Sequence, residues 1–190
     1  MPVEYANRIR FGQVEIRVAT ASDAEQVAAL HADSWRRHYR GAYADAFLDG
    51  DVEADRRTVW TERLAVPAHT ETILAVDSGQ LIGFVHVMLD ADPRWGSLVD
   101  NLHVRTARRG SGIGGRLLRH AATAVHQRAA TRAMYLWVLE QNTAAQGFYR
   151  AHGGDAVETA LVPPPGGDPT RLNGSPVCLR IAWADVAVLS

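Results

Sequence analysis

Apolar and polar positions alternate in some stretches of the chain and recur at helical spacing in others. Residues 14–19 alternate and predict a first strand. Thr20-Ala-Ser-Asp then reads as a helix start, with Ser22 or Asp23 as cap, and Val27, Leu30, Ser34 and Trp35 follow in the helix. Two further helical stretches are predicted at about residues 42–48 and 53–64. Residues 73–77, a Ser78-Gly79 turn and residues 80–89 read as a hairpin, broken by Asp92-Pro93. Residues 97–104 form the next strand. Strict alternation places Leu98, Asp100, Leu102 and Val104 on one face and His103 on the other.

The second half alternates helix and strand. Ile113, Leu117, Leu118, Ala121 and Val125 predict a helix to about residue 130 after a glycine-bearing basic loop. Residues 133–139 are apolar without alternation, as in a strand buried on both faces. Asn142 or Thr143 caps a short helix that stops at Gly153-Gly154. Residues 157–162 and 177–183 read as the last strands, with a proline-rich loop at 163–169 between them. This order of strands and helices predicts a chain of mixed α/β class. It fits one domain spanning residues 1–190, with a core from about 15 to 183.

Composition narrows the chemistry. All 20 basic residues are arginine, and the absence of lysine excludes the phosphate-binding loop of nucleoside triphosphatases and Schiff-base chemistry. Twenty basic against 21 acidic residues give a net charge of −1, with no global pull toward nucleic acid or an anionic membrane. One cysteine, Cys178, fits a reducing cytoplasm and excludes thiolate zinc clusters. The eight histidines are scattered without a metal-ligand spacing, so no metal site is expected. The first twelve residues are charged and lack a signal-length apolar core, and no apolar run approaches a membrane span. The abundance of arginine and alanine points to a GC-rich bacterial genome.

The informative stretch is residues 101–118, NLHVRTARRGSGIGGRLL, where a strand feeds a glycine loop that opens a helix. Glycines let the backbone approach a ligand, and the first unpaired amides of a helix sit at its positive end, a setting that binds phosphate. Arg105, Arg108 and Arg109 add charge. Two ligand classes fit. Gly110-x-Gly112-x-x-Gly115 matches the dinucleotide fingerprint of a Rossmann-type enzyme, with Glu140 ending the next strand. Against it, five residues separate the strand from the glycines, and too few strands follow for a doubly wound sheet.

The second pattern, Arg109-x-x-Gly112-x-Gly114, resembles the signature of the GNAT superfamily of acyl-coenzyme A N-acyltransferases. Leu102-His103-Val104 before the loop and Ile113-Gly114-Gly115 after it fit the same segment. Downstream, LWVLEQN, Ala144-Ala145 and Phe148-Tyr149 resemble the family's second segment, with the tyrosine seven residues after Asn142. The resemblance runs from about Glu15 to Trp183 and implies an α/β (α+β) fold of three layers, a mixed six- to seven-stranded sheet with helices on both faces.

That resemblance implies acetyl-coenzyme A between the strands at 97–104 and 133–139. Amides of Arg109, Gly110, Ser111, Gly112, Ile113 and Gly114, with Gly115 beside them, would hold the pyrophosphate. Leu102, His103 and Val104 would flank the pantetheine arm like an added strand, with Asn142 bonding the arm or capping its helix. It also implies direct attack of a primary amine on the thioester. Tyr149 would be the general acid, a backbone amide near Val104 the oxyanion donor, and Asp100 a base acting directly or through water. Asp100 and Asn142 are equally readable as structural residues, and His103 is a weaker base candidate. Trp35, His38 and Tyr39, in an aromatic-rich region, are expected to grip a small-molecule or peptide amine, although core packing explains them as well. A non-catalytic coenzyme A-binding module and a homodimer also fit the pattern.

Overall fold

The computed structural model describes residues 14–189; the expectation about the first twelve residues lies outside them. Seven strands form one mixed sheet in the order β1-β2-β3-β4-β5-β7-β6. β1 (Glu15–Val18), β2 (Thr70–Asp77), β3 (Gln80–Asp92) and β4 (Gly96–Val104) pair in succession, each antiparallel to the one before. β4 and β5 (Met134–Leu139) are parallel, and β5, β7 (Val177–Trp183) and β6 (Asp155–Leu161) are again antiparallel. A doubly wound parallel sheet is therefore excluded, because this sheet holds a single parallel pair.

Helices cover both faces. α1 (Ala24–His38), α2 (Asp45–Asp49) and α3 (Val52–Ala65) lie on one side. α4 (Ile113–Arg128) and α5 (Thr143–Ala151) lie on the other. The helix start predicted at 20–23 is a capping box on a short 3-10 turn: the Asp23 carboxylate accepts from the Thr20 amide at 2.8 Å. Paired Arg17 at 2.7 Å is the first cause that holds the Asp23 carboxyl down at about 2. The core against α4 is built from Val85, Val87, Val99, Leu117, Leu118 and Leu136. Leu117 and Leu118 are fully buried, each contributing about 1.5–3 kcal/mol of hydrophobic stabilisation.

Two features of β4 position the site. First, β4 and β5 pair only at Ser97–Met134 and Leu98–Tyr135, then part. Among the described residues, the β5-facing backbone of residues 102–104 has no strand partner. Second, β4 is bulged. Val99 pairs with Val87 but Asn101 pairs with His86, so Asp100 is an extra residue in the strand. The alternation expected from sequence is corrected here. Leu98, Asp100, Asn101 and His103 lie toward α1 and α3, whereas Val99, Leu102 and Val104 pack toward α4. Asp100 and Leu102 thus fall on opposite faces.

Candidate functional site

Where β4 and β5 part, a cleft of about 640 Å³ opens and runs to the N-terminus of α4. Its walls include Leu102, His103 and Val104 of β4, Arg109, Gly110 and Gly112 of the loop, and Ile113, Gly114 and Gly115 of α4. Asn142 and Tyr149 approach from the α5 side, His38 and Tyr39 from the end of α1, and Asp100 from the bulge. Sequence positions expected to act together are thus brought together, with two exceptions. Ser111 does not line the cleft; its hydroxyl donates to the Arg108 carbonyl at 2.5 Å. Trp35 is a correction: its indole is buried in the core, edge-on to Tyr43 at 5.0 Å and beneath the Arg56 guanidinium at 4.2 Å. Ser34, one residue earlier, lines the cleft instead.

The loop is shaped for a ligand that approaches backbone. Gly112 caps α4 with φ +79° and Gly110 has φ +73°; a Cβ built on either meets no atom within 4 Å. Space therefore stands in front of amides that carry the positive end of a sixteen-residue helix. The three loop arginines are not equivalent. Arg105 donates from Nε to the Leu81 carbonyl at 2.6 Å, and Arg108 is paired with Asp77. Arg109 reaches into the cleft mouth and hydrogen-bonds His38 Nε2.

Tyr149 is buried, and its hydroxyl has no hydrogen-bond partner among the described residues. It is not among the buried unsatisfied atoms, so it opens on the cleft. Burial, with the Tyr39 phenol as a second cause, pushes its ionisation up. Tyr39 is likewise raised by burial, to about 12. Asn142 caps α5, its side-chain oxygen accepting from the Ala145 amide at 3.1 Å. Asp100 is engaged: Oδ2 accepts from Arg63 Nη1 and from Asn101 Nδ2, both at 2.6 Å. Cys178 is buried between β5 and β6, away from the cleft.

Histidines gather on the α1–α3 side of β3 and β4. Ser34 Oγ and His103 Nδ1 are 2.7 Å apart, and His103 stacks on His31 with ring centroids 4.7 Å apart. The Trp60 indole donates to His31 Nδ1 at 2.9 Å, fixing that nitrogen as an acceptor. Burial lowers all of them: His31 strongly, His86 to about 4 and His103 to about 3, with His38 the next cause for His103. These groups are neutral in the folded chain and titrate near their ordinary 6.5 when unfolded. The unfolded state therefore binds more protons below pH 6.5. Stability is fully present above that value and declines as pH falls toward 4 for His86 and 3 for His103. Each contributes about 1.4 kcal/mol of loss per pH unit within its window. Melting temperature is expected to drop between pH 7 and pH 5; a flat profile there contradicts this assignment.

Sequence reasoning did not select Ser34, Arg119 or His152, which also line the cleft. His152 Nδ1 is held by the Phe148 carbonyl at 2.8 Å, and its Nε2 comes within 2.8 Å of a Cβ built on Gly115. A helix face shared by Ser34 and His38, four residues apart, was the available signal for the first.

A splayed parallel pair delivers the cleft to glycine-capped helix amides, a setting suited to a phosphorylated ligand. Comparison with known proteins gives the class. The model of the acetyltransferase (GNAT) family matches residues 26–153. A probable N-acetyltransferase of Mycobacterium tuberculosis is 29% identical over 144 residues, 72% of this chain and 76% of that protein. The PaiA N-acetyltransferase of Thermoplasma acidophilum, solved with coenzyme A, superposes with a TM-score of 0.69 at 19% identity, covering 90% of this chain and 99% of that one. NAA60 of Arabidopsis thaliana, solved with a bisubstrate analogue, gives 0.65 at 18% identity, covering 90% and 96%. The chain belongs to the acetyltransferase (GNAT) family and is an acyltransferase.

Proposed function

We propose that the chain transfers an acetyl group from acetyl-coenzyme A to a primary amine carried by a small molecule or peptide. The observation that carries this reading is the gap between β4 and β5 and its exit onto the α4 amides. The likeness to a fold solved with coenzyme A supports it. The donor fits what lines the gap. Open space in front of Gly110 and Gly112 leaves room for a pyrophosphate against the amides of residues 109–114. The partnerless edge at 102–104 suits the amide groups of a pantetheine arm.

Bound acetyl-coenzyme A supplies an activated acyl carbonyl and a thiol leaving group. The chain's own residues do the rest. Tyr149, kept protonated by burial, donates its hydroxyl proton toward the departing sulfur. Asn142 holds the start of α5, and so Tyr149, in place. A backbone amide near Val104 stabilises charge on the acyl oxygen. Tyr39 and His38 flank the acceptor, and the Asp100–Arg63 pair sets the charge at its end of the cleft.

Calorimetry with coenzyme A, and free-thiol release from acetyl-coenzyme A over a panel of primary amines, test the reading. Binding and amine-dependent thiol release are expected; neither with any amine overturns it. Gly112→Val sets a side chain in front of the helix amides and imposes φ strain. It is expected to weaken coenzyme A binding by about tenfold or more, or about 1.4 kcal/mol.

A further inference from the structure

We propose that His103, fixed by Ser34, takes the proton that the acceptor nitrogen sheds as the new N–C bond forms. The inference rests on the acetyltransferase reading above and concerns which of this chain's residues serves it. Simple alternation makes Asp100 the natural base, on one face with Leu102 and Val104. The bulge moves it to the α1–α3 side, where Oδ2 is already taken by Arg63 and Asn101. Both bonds hold the carboxylate toward α3, with Oδ2 committed before any acceptor binds.

His103 lies on the same side and is held differently. Its Nδ1 is occupied by Ser34, which fixes the ring plane. The His31 ring backs it, and His31 is itself locked by the Trp60 indole. Nε2 has no partner among the described residues and is not among the buried unsatisfied atoms, so it opens on the cleft. When Nδ1–H donates to Ser34 Oγ, the lone pair of Nε2 faces the acceptor space. The titratable groups around the ring are His31 and His38 of α1, Asp100 of β4 and Arg109 of the loop. Among them only Asp100 is acidic, and it is paired.

The proton balance closes. The acceptor enters as the neutral amine, having lost its ammonium proton to solvent. As its lone pair forms the N–C bond, the nitrogen becomes strongly acidic and passes one proton to Nε2. The C–S electron pair leaves with sulfur, which takes one proton from Tyr149. The imidazolium and the phenolate then re-equilibrate through solvent, so both residues return to their starting forms. A weakly basic, neutral imidazole suffices, because bond formation itself drives the proton off nitrogen. The pH dependence of turnover is then expected to follow the ionisation of the amine.

The test compares wild type with His103→Ala. Turnover of the variant is expected to fall by about a hundredfold or more. Added imidazole is expected to restore it at least tenfold, while calorimetric affinity for coenzyme A stays within about threefold of wild type. Histidine ¹⁵N NMR of the unaltered protein gives a readout free of turnover: the Nε2 signal of one cleft histidine should move when a product amide is added, and this signal should be missing from His103→Ala. Turnover of His103→Ala close to wild type, a loss that imidazole does not restore, or an unmoved His103 signal overturns the assignment. A wild-type protein that neither binds coenzyme A nor releases thiol overturns the acetyltransferase reading beneath it, which separates the two failures.

Discussion

Tyr149→Phe is expected to lower kcat by about a hundredfold or more while leaving coenzyme A affinity within about twofold. The change removes one oxygen from a buried ring and keeps its packing. The ring is edge-on to Phe148 at 5.1 Å and to Trp183 at 6.2 Å, so α5 loses no apolar contact. Among the described residues the hydroxyl has no partner to leave unsatisfied. An effect confined to turnover identifies a proton donor. An equal loss of coenzyme A binding instead identifies a structural contact, and unchanged turnover removes the role. Steady-state kinetics paired with calorimetry read all three outcomes.

Gly96→Ala is expected to produce the largest loss of stability by a small substitution. Gly96 opens β4 with φ +77°, and a Cβ there would stand 2.2 Å from the Ala133 carbonyl oxygen and 2.7 Å from its carbon. Both are backbone atoms, and the same carbonyl accepts the Ser97 amide at 3.0 Å. No side-chain rotation relieves the contact. Left-handed strain and the displaced strand pair together are expected to cost about 3 kcal/mol or more. For a chain of this length that lowers the melting temperature by roughly 6–12 °C. A shift below about 2 °C shows that β4 and β5 part more easily than this contact requires. Because the residue sits where the two strands meet, coenzyme A affinity is expected to fall with stability.

Most elements were legible in the sequence because their causes are local. The Ser78-Gly79 turn, the Asp92-Pro93 break and the glycine stop after Ala151 all fall where the residues require. The glycine loop was legible for the same reason: positive φ and exposed amides are written in residue type. What was not legible depends on partners distant in the chain. Nothing about Asp100 marks it as a bulge residue; only the register of β3 against β4 makes it one. Arg105 and Arg108 look like Arg109 in the sequence, yet Leu81 and Asp77 engage them. Trp35, Tyr39 and Tyr43 cluster, with Trp35–Tyr39 centroids at 5.4 Å and Trp35–Tyr43 at 5.0 Å. Spacing alone does not say which of them meets the core and which the cleft.

The bulge also divides labour within one strand. Before it, side chains follow the ordinary alternation; after it, the count is offset by one, so Val99, Leu102 and Val104 serve the α4 core while Asp100 and His103 look toward α1 and α3. Substitutions on the acceptor side thus need not disturb the packing that supports the donor side. A strand built this way has two faces that can be altered independently, one by substitutions at Asp100 and His103 and the other at Val99, Leu102 and Val104.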